Sequence, residues 1–322
     1  MHVSVVIPVR NGAHTIMRAI DSVLAQKLPP SEVVVVDDGS TDTTPRILAA
    51  FGRRINVIRQ GSRGPSAARN VGAAAAGRAN YLAFLDADDV WLPEMLQVMV
   101  EQLEQVPARV LAFCDVEPID ERGYAVTEPI VPEECAHAPE MNELLMRWWP
   151  ILPSAAVMRR SAFDSCGGFS EDFTAPGFED PYLWMLMREL GEFAYLPERL
   201  VLYRTSSPVE RMEKYEAGYQ TFSRLVRRRY GAAGEQLVRE ITTGFGSAWD
   251  HEGLIALKVG NKKEARRDFA RALRYNRLHV RSHLRWLRTF LPLGVAQALS
   301  GGFVHGTKVS AEHRSTSWLD GE

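Results

Sequence analysis

Cysteine is scarce in this chain. Its 322 residues hold three, Cys114, Cys135 and Cys166, far apart and without a CxxC pair. That usage argues against a disulfide framework and a cysteine-built zinc site, and points to a reducing, cytoplasmic compartment. No apolar stretch reaches the roughly 18 residues that a membrane-crossing helix needs. The opening Met1-His2-Val3-Ser4-Val5-Val6-Ile7-Pro8 lacks the positive flank and long apolar core of a secretory signal and reads as a first strand. Neither sign of charge dominates: 38 Lys and Arg against 40 Asp and Glu leave a net charge of -2, which excludes a generally basic nucleic-acid binder. GxGxxG and the GxxxxGKS/T loop are both missing, so dinucleotide and P-loop readings lose their main support. With 46% hydrophobic and 24% charged residues, the chain can form one large globular domain or two smaller ones.

What is present is a strand-helix alternation through the first 115 residues. Val3 to Ile7 is a β-branched run, as expected of a parallel strand covered on both faces. Ala13 to Gln26 repeats apolar residues at Ile16, Ala19, Ile20, Val23 and Leu24, which is helical spacing. Glu32 to Val36 predicts a second strand, after which Ser40 or Asp42 can cap a helix over Thr43 to Phe51. Asn56–Arg59, Tyr81–Leu85 and Val110–Val116 read as further strands, and Pro65–Ala76 and Pro93–Gln105 as helices. The fold class is α/β, a sheet flanked by helices.

The most informative segment is Tyr81 to Asp89, where an apolar strand breaks into Asp86, Asp88 and Asp89. Ligands of open α/β sheets bind at the carboxyl ends of the strands. Asp86 and Asp88 are two apart, so in extended backbone they share a face, and two like charges there call for a cation. A magnesium-type ion carrying a diphosphate meets that need, because such ions take one or two carboxylates plus phosphate oxygens. Acidic clusters after strands also serve as helix caps or solvated turns. Three loops should meet at this edge: Pro8-Val9-Arg10-Asn11-Gly12, Asp37-Asp38-Gly39-Ser40 and Asp86-Ala87-Asp88-Asp89. A nucleotide would explain all three. Pro8, Val9, Arg10 and Asn11 can contact base and ribose, Asp38 beside Asp37 can accept a uracil imide N–H, and Arg69 can reach base or diphosphate. The bland reading of Arg69 is a surface ion pair.

In order and spacing, Val5-Val6-Ile7-Pro8-Val9-Arg10-Asn11, Val35-Val36-Asp37-Asp38-Gly39-Ser40-Thr41-Asp42, Ala68-Arg69-Asn70-Val71-Gly72 and Phe84-Leu85-Asp86-Ala87-Asp88-Asp89 resemble the family-2 inverting glycosyltransferases. The likeness continues through Gly167-Gly168-Phe169-Ser170-Glu171, Phe178-Glu179-Asp180, Trp184 and Tyr203-Arg204, and covers roughly residues 1 to 206. It implies the GT-A fold, a Rossmann-like mixed sheet flanked by helices. It also implies sugar transfer from a nucleoside-diphosphate sugar, with a UDP-sugar favoured. Asp38 then belongs at the base, Asp86 near ribose and metal, and Asp88 on Mn2+ or Mg2+, with Arg69 and the ion stabilising the departing diphosphate. The family pattern puts the general base at the second residue of Glu179-Asp180, so Asp180 is expected to take the acceptor proton, with Glu179 as the alternate. Burial or neighbouring acids would have to raise its pKa toward working pH. Capping of the helix expected over Pro181 to Leu190 is the structural alternative for that pair. Ser206 stands where relatives often carry a histidine, so metal affinity is expected to be weaker, or the contact to come from Arg204 or Arg211.

The acceptor side is less explicit. Residues 116 to 150 read as a loop-bearing insert over the cleft, in which Trp148 and Trp149 can stack on sugar faces or pack as core. Trp184 lies at helical spacing with Met187 and reads as core. Beyond residue 208 the chain turns helical, giving expected domains over 1–207 and 208–299 and a mobile tail over 300–322. Gly253 to Leu273 resembles one tetratricopeptide-like hairpin, which cannot bury its face alone. Lys258 to Arg288 carries 11 Lys or Arg against two acids. That stripe can rest on an anionic membrane, attract a lipid-diphosphate-linked acceptor, or be a solvated basic face. The expectation is a non-processive transferase, cytoplasmic or peripheral on the inner face of the membrane, building a cell-surface glycan on a lipid- or protein-linked acceptor. A catalytically silent nucleotide-sugar-binding scaffold is the alternative. A sugar nucleotidyltransferase fits less well, for want of a basic glycine-rich loop after the first strand.

Overall fold

Runs of β-branched residues form the centre of a sheet because both faces must be covered. In the computed structural model these runs are β1 (Val3–Val9) and β2 (Glu32–Asp37), joined by β3 (Asn56–Arg59) and β4 (Tyr81–Phe84) in parallel pairing. The structure describes residues 2–77, 79–120, 123, 125, 151–173, 177–205, 208–275 and 280–292. Four more strands, β5 (Val90–Trp91), β6 (Arg109–Ile119), β7 (Ala156–Arg159) and β8 (Glu192–Arg204), complete a mixed sheet in the order β3-β2-β1-β4-β7-β6-β8-β5. β7 runs antiparallel to both β4 and β6, while β6 and β8 are parallel and β5 is antiparallel to β8.

Alternation along β1 assigns its side chains to two cores. Val5 and Ile7 pack with Ile16, Ile20 and Val23 of α1 (Ile16–Leu24) and with Met95, Met99 and Leu103 of α4 (Met95–Gln105). Val6 faces α3 (Pro65–Ala75) on the opposite side, while α2 (Thr44–Ala50) links β2 to β3. Gly72 of α3 lies so close to the sheet that a Cβ would stand 2.3 Å from Val6 Cγ1 and 3.1 Å from Val36 Cγ2. Alanine at this position should force α3 off the strands and cost about 1–3 kcal/mol by overpacking. Urea unfolding of Gly72→Ala checks this, and an unchanged midpoint would refute the close contact.

The sequence underestimates strand content. β7 and β8 carry no clear alternation, since β7 is four residues long and Pro197, Glu198 and Arg199 interrupt the apolar pattern of β8. β6 extends to Ile119, into the stretch expected as an insert. Trp148, Trp149 and Cys135 lie outside the described residues, as do Ser206 and the expected tail. Trp184 is core, as expected: it is 2% exposed, and its indole N–H donates to Ile151 O at 2.8 Å.

Helices α5 (Arg160–Cys166) and α6 (Glu179–Arg188) precede β8. The sheet, its helices and residues 214–222 form one compact unit, and residues 208–213 with the helical residues from Ser223 onward form a second. α7 (Pro208–Lys258) is broken at Gly231, where the backbone turns to φ 56°. It is followed by α8 (Lys262–Tyr275) and α9 (Val280–Arg288). Within the second unit, Asn261 Oδ1 accepts Glu264 N–H at the start of α8, and Ala256, Leu257, Ala265 and Phe269 form a small core against Leu254 and Trp286. Among the described residues, no helix is long and apolar enough to cross a membrane.

Candidate functional site

Register places the three acidic and polar loops at one edge. Val9 of β1 pairs with Asp37 of β2, and Val6 pairs with Phe84 of β4, so all three strands release their chains on the same side. Two of these loops are tied together directly. Asn11, in a left-handed conformation at φ 53°, donates its backbone N–H to Ser40 Oγ at 2.9 Å and accepts Thr41 N–H on Oδ1 at 2.8 Å. Asp42 accepts Ala13 N–H at 3.1 Å and Thr44 N–H at 3.0 Å, which staples the first loop to the start of α2. The Thr44 side chain first, and then these two N–H donors, hold its carboxyl below the usual range against an upward effect of burial.

Asp37 and Asp38 are buried and partly committed. Asp37 Oδ1 accepts Ser40 N–H at 2.8 Å, and its other oxygen lies 3.5 Å from Arg59 Nε. Asp38 Oδ1 accepts from Gln60 Nε2 at 2.7 Å and Arg63 N–H at 2.8 Å, while Oδ2 accepts Gly64 N–H at 2.9 Å. A carboxylate offers about four acceptor positions, so one lone pair of Asp38 remains for a ligand donor. Pro8 is partly buried, Val9 is buried and Arg10 is exposed on the same loop.

Asp86 to Asp89 is a turn, not extended chain. Asp89 N–H donates to Asp86 O at 3.1 Å, so Asp86 and Asp88 do not share a face by strand alternation as the two-residue spacing suggested. The turn instead leaves Asp86 partly exposed, Asp88 exposed and Asp89 buried. Ser154 supports it from below: its hydroxyl accepts Asp86 N–H at 3.0 Å, and its carbonyl accepts the Trp91 indole N–H at 2.6 Å. Asp89 accepts Arg204 N–H at 2.9 Å and joins the turn to β8. Burial, then the charges of Asp88 and Asp86, push the Asp89 carboxyl well above its usual range.

Arg69 is the centre of the arrangement. Its side chain is 5% exposed and donates from Nη2 to Asp86 Oδ1 at 2.7 Å and from Nη1 to Glu179 Oε1 at 3.3 Å. Its guanidinium lies 5.2 Å from the centre of the Phe169 ring, part of a cluster with Phe84, Phe163 and Trp184. Burial disfavours the cation, but Asp86 and Glu179 outweigh it and raise the pKa above the ordinary arginine value. From the sequence this guanidinium can reach base or diphosphate, or form a surface ion pair. In the structure it is an internal bridge between two acidic segments.

The Glu179 end is equally constrained. Phe178 caps α6 with φ 70°, a left-handed conformation that a bulky residue adopts only at a cost of about 1–3 kcal/mol. Its ring packs 4.7 Å from that of Phe222 and 6.1 Å from that of Tyr219. Glu179 Oε2 accepts Gly177 N–H at 2.6 Å, so both oxygens of this buried carboxylate are occupied. Asp180 is partly exposed, with no hydrogen bond or ion pair to another side chain among the described residues. Burial first, and then the Glu179 charge, push its carboxyl well above the usual aspartate range, against a downward pull from Arg69. Nearby, Asn70 accepts Phe169 N–H at 2.9 Å and donates to Phe169 O at 2.8 Å. Gly168 makes this clamp fit, because at φ 77° a Cβ would stand 2.6 Å from Asn70 Oδ1.

The donor set suits a hard cation only in part. Among the described residues no group of three or more His, Cys, Asp or Glu could hold an ion by itself. Asp86 and Asp88 offer two carboxylates, one shared with Arg69, which matches an ion that keeps water and phosphate oxygens as its other ligands. Two supports escaped sequence reasoning. Ser154 lies in a stretch without a motif, and the aromatic cluster behind Arg69 brings Phe84 together with Phe163, Phe169 and Trp184 from far along the chain.

The family model for glycosyl transferase family 2 matches residues 4–167, just over half of the chain. An uncharacterized glycosyltransferase of Rickettsia typhi is 26% identical over 235 residues, 68% of this chain and 71% of that protein. The succinoglycan biosynthesis protein ExoO of Rhizobium meliloti is 42% identical over 124 residues, covering 38% of this chain and 35% of ExoO. Among solved structures, S. aureus TarS 1-349 in complex with UDP-GlcNAc superposes with a TM-score of 0.57 at 18% identity, covering 97% of this chain and 95% of that one. A longer TarS structure gives 0.58 at 21%, covering 92% of this chain and about half (53%) of the other. The sheet order, the acidic edge and the matched residues agree, and the chain belongs to glycosyl transferase family 2, a glycosyltransferase of the GT-A fold.

Proposed function

We propose that the chain transfers a sugar from a nucleoside-diphosphate donor to a hydroxyl acceptor with inversion, in one displacement. The acceptor oxygen bonds to the anomeric carbon as the bond from that carbon to the diphosphate oxygen breaks. The hydroxyl proton passes to Asp180, and the nucleoside diphosphate leaves. The observation that carries this reading is Arg69. It holds the Asp86 turn to the first turn of α6, leaving Asp180 beside that network as a carboxyl of raised pKa. A raised pKa near working pH is what a general base requires.

Donor binding falls to the loop edge. Asp38 keeps one acceptor position for a base N–H, and Asn11 and Arg10 border the same edge. A uridine donor accords with that acceptor and with the UDP-GlcNAc complex of TarS. Asp88 and Asp86 would hold Mg2+ or Mn2+, which supplies charge neutralisation for the leaving diphosphate. Arg69 is then a positioning residue, fixing Asp86 from behind. Likeness to the succinoglycan protein ExoO favours a growing cell-envelope polysaccharide as acceptor.

Calorimetric titration with UDP in the presence and absence of Mn2+ tests the donor site. Wild-type binding should tighten by at least about tenfold with the ion, and Asp88→Asn should abolish that gain, since the ion loses one of two carboxylates. Metal-independent UDP binding in the wild type would remove the ion from the proposal. No turnover of any UDP-sugar by a protein that binds UDP would favour a nucleotide-binding scaffold instead.

A further inference from the structure

α9 and the turn that follows it, to Leu291, are built inside out. Ser282 and Thr289 are buried, with exposures of 1% and 0%, while Leu284, Leu287, Phe290 and Leu291 are 49%, 55%, 53% and 38% exposed. The buried side is held by polar contacts: Ser282 Oγ donates to Asp250 at 2.6 Å, Arg285 pairs with Asp250, and Arg266 Nε donates to Thr289 Oγ1 at 3.2 Å. A surface helix ordinarily turns its leucines inward and its charges out. Asp250 and Arg266 anchor that side together with Trp286, which packs against the Ala256-Leu257-Ala265-Phe269 core, and the leucines face away from it.

Cations border this apolar face. Arg266 lies over the Phe290 ring at 3.9 Å, and Lys262 Nζ donates to Leu291 O at 2.6 Å. Lys263, Arg267 and Arg274 are exposed along α8 and Arg281 on α9. The segment from Lys258 to Arg288 holds 11 cations against two acids. An amphipathic surface of leucines and phenylalanine rimmed by Lys and Arg matches the headgroup boundary of a negatively charged bilayer, where apolar side chains enter the acyl region and cations meet phosphate.

We propose that the Leu284-Leu287-Phe290-Leu291 face and the α8 cations dock the protein on an anionic lipid surface. The contact lies in the second unit and is independent of the transfer chemistry, so it can fail without the transferase reading failing, and the reverse.

Flotation of the full chain with vesicles of phosphatidylcholine, with and without phosphatidylglycerol, tests the proposal. Binding is expected only with phosphatidylglycerol and should weaken as salt rises. Leu284→Asp with Leu287→Asp should reduce it by about a hundredfold, from the loss of two inserted leucines. Lys263→Glu with Arg274→Glu should reduce it by about tenfold or more. Both variants should keep the parental melting temperature, because all four side chains are exposed. Equal flotation with neutral vesicles would overturn the proposal. So would leucine variants that bind as the parent does, whether they melt lower, which would mean that the chain itself covers the face, or lose a parental dimer, which would make the face a contact between copies.

Discussion

Asp180→Asn is expected to bind the nucleotide donor as tightly as the parent and to turn it over about a hundred to ten thousand times more slowly, the range of a lost general base. The substitution keeps the shape of the side chain and removes the proton acceptor. Among the described residues Asp180 makes no hydrogen bond or ion pair to another side chain, whereas both oxygens of Glu179 already accept hydrogen bonds. Its carboxyl is pushed upward by burial and by the Glu179 charge. A base works only when ionised, so kcat of the parent should fall as pH drops through that raised pKa, well above the usual aspartate range. The acidic limb should be missing from the residual activity of the asparagine variant. Initial rates of nucleoside-diphosphate release against pH, with UDP affinity measured on the same protein, check both halves. Near-parental turnover would sink the assignment of Asp180.

The parallel half of the sheet was legible in the sequence because Val3–Val9, Glu32–Asp37 and Tyr81–Phe84 are buried on both faces, and such strands must be apolar at nearly every position. The helices between them were legible to within a few residues, since each needs a stripe of spacing 3.6 against one face. β7 and β8 were not, because β7 is too short to show a period and β8 mixes exposed and buried positions. Among site residues, carboxylates at strand ends advertise themselves by breaking an apolar run. Arg69 gave no such sign: a guanidinium in an alanine-rich helix reads the same whether it meets water or two acids. Its burial follows from long-range packing of Phe169 and α6, which lie about a hundred residues away along the chain. The two-residue spacing of Asp86 and Asp88 misled for a related reason. A single backbone hydrogen bond, from Asp89 N–H to Asp86 O, converts strand into turn and cancels the alternation on which the inference rested.

Arg69→Met should therefore cost more than any substitution on the exposed loop edge. Removing one member of a buried ion pair leaves its partners charged without compensation, a loss of about 3–5 kcal/mol. Glu179 has a side chain 7% exposed and takes most of that penalty, while Asp86, 33% exposed, recovers part of its solvation from water. The low end of the range is expected, or a fall of roughly 6–12 °C in melting temperature for a domain of this size. Arg69→Met combined with Glu179→Gln should recover much of that loss, because the uncompensated charge is then gone and methionine can fill the space against Phe169. Activity should not recover with it. Arg69 draws the Asp180 pKa downward, so its removal should move the acidic limb of the rate profile of the folded single variant to higher pH. Thermal unfolding of parent, single and double variants, with rate profiles taken below the transition, checks each step. A single variant as stable as the parent would mean that the guanidinium bridge contributes nothing to holding the acidic turn against α6, and the geometry proposed for transfer would lose its support.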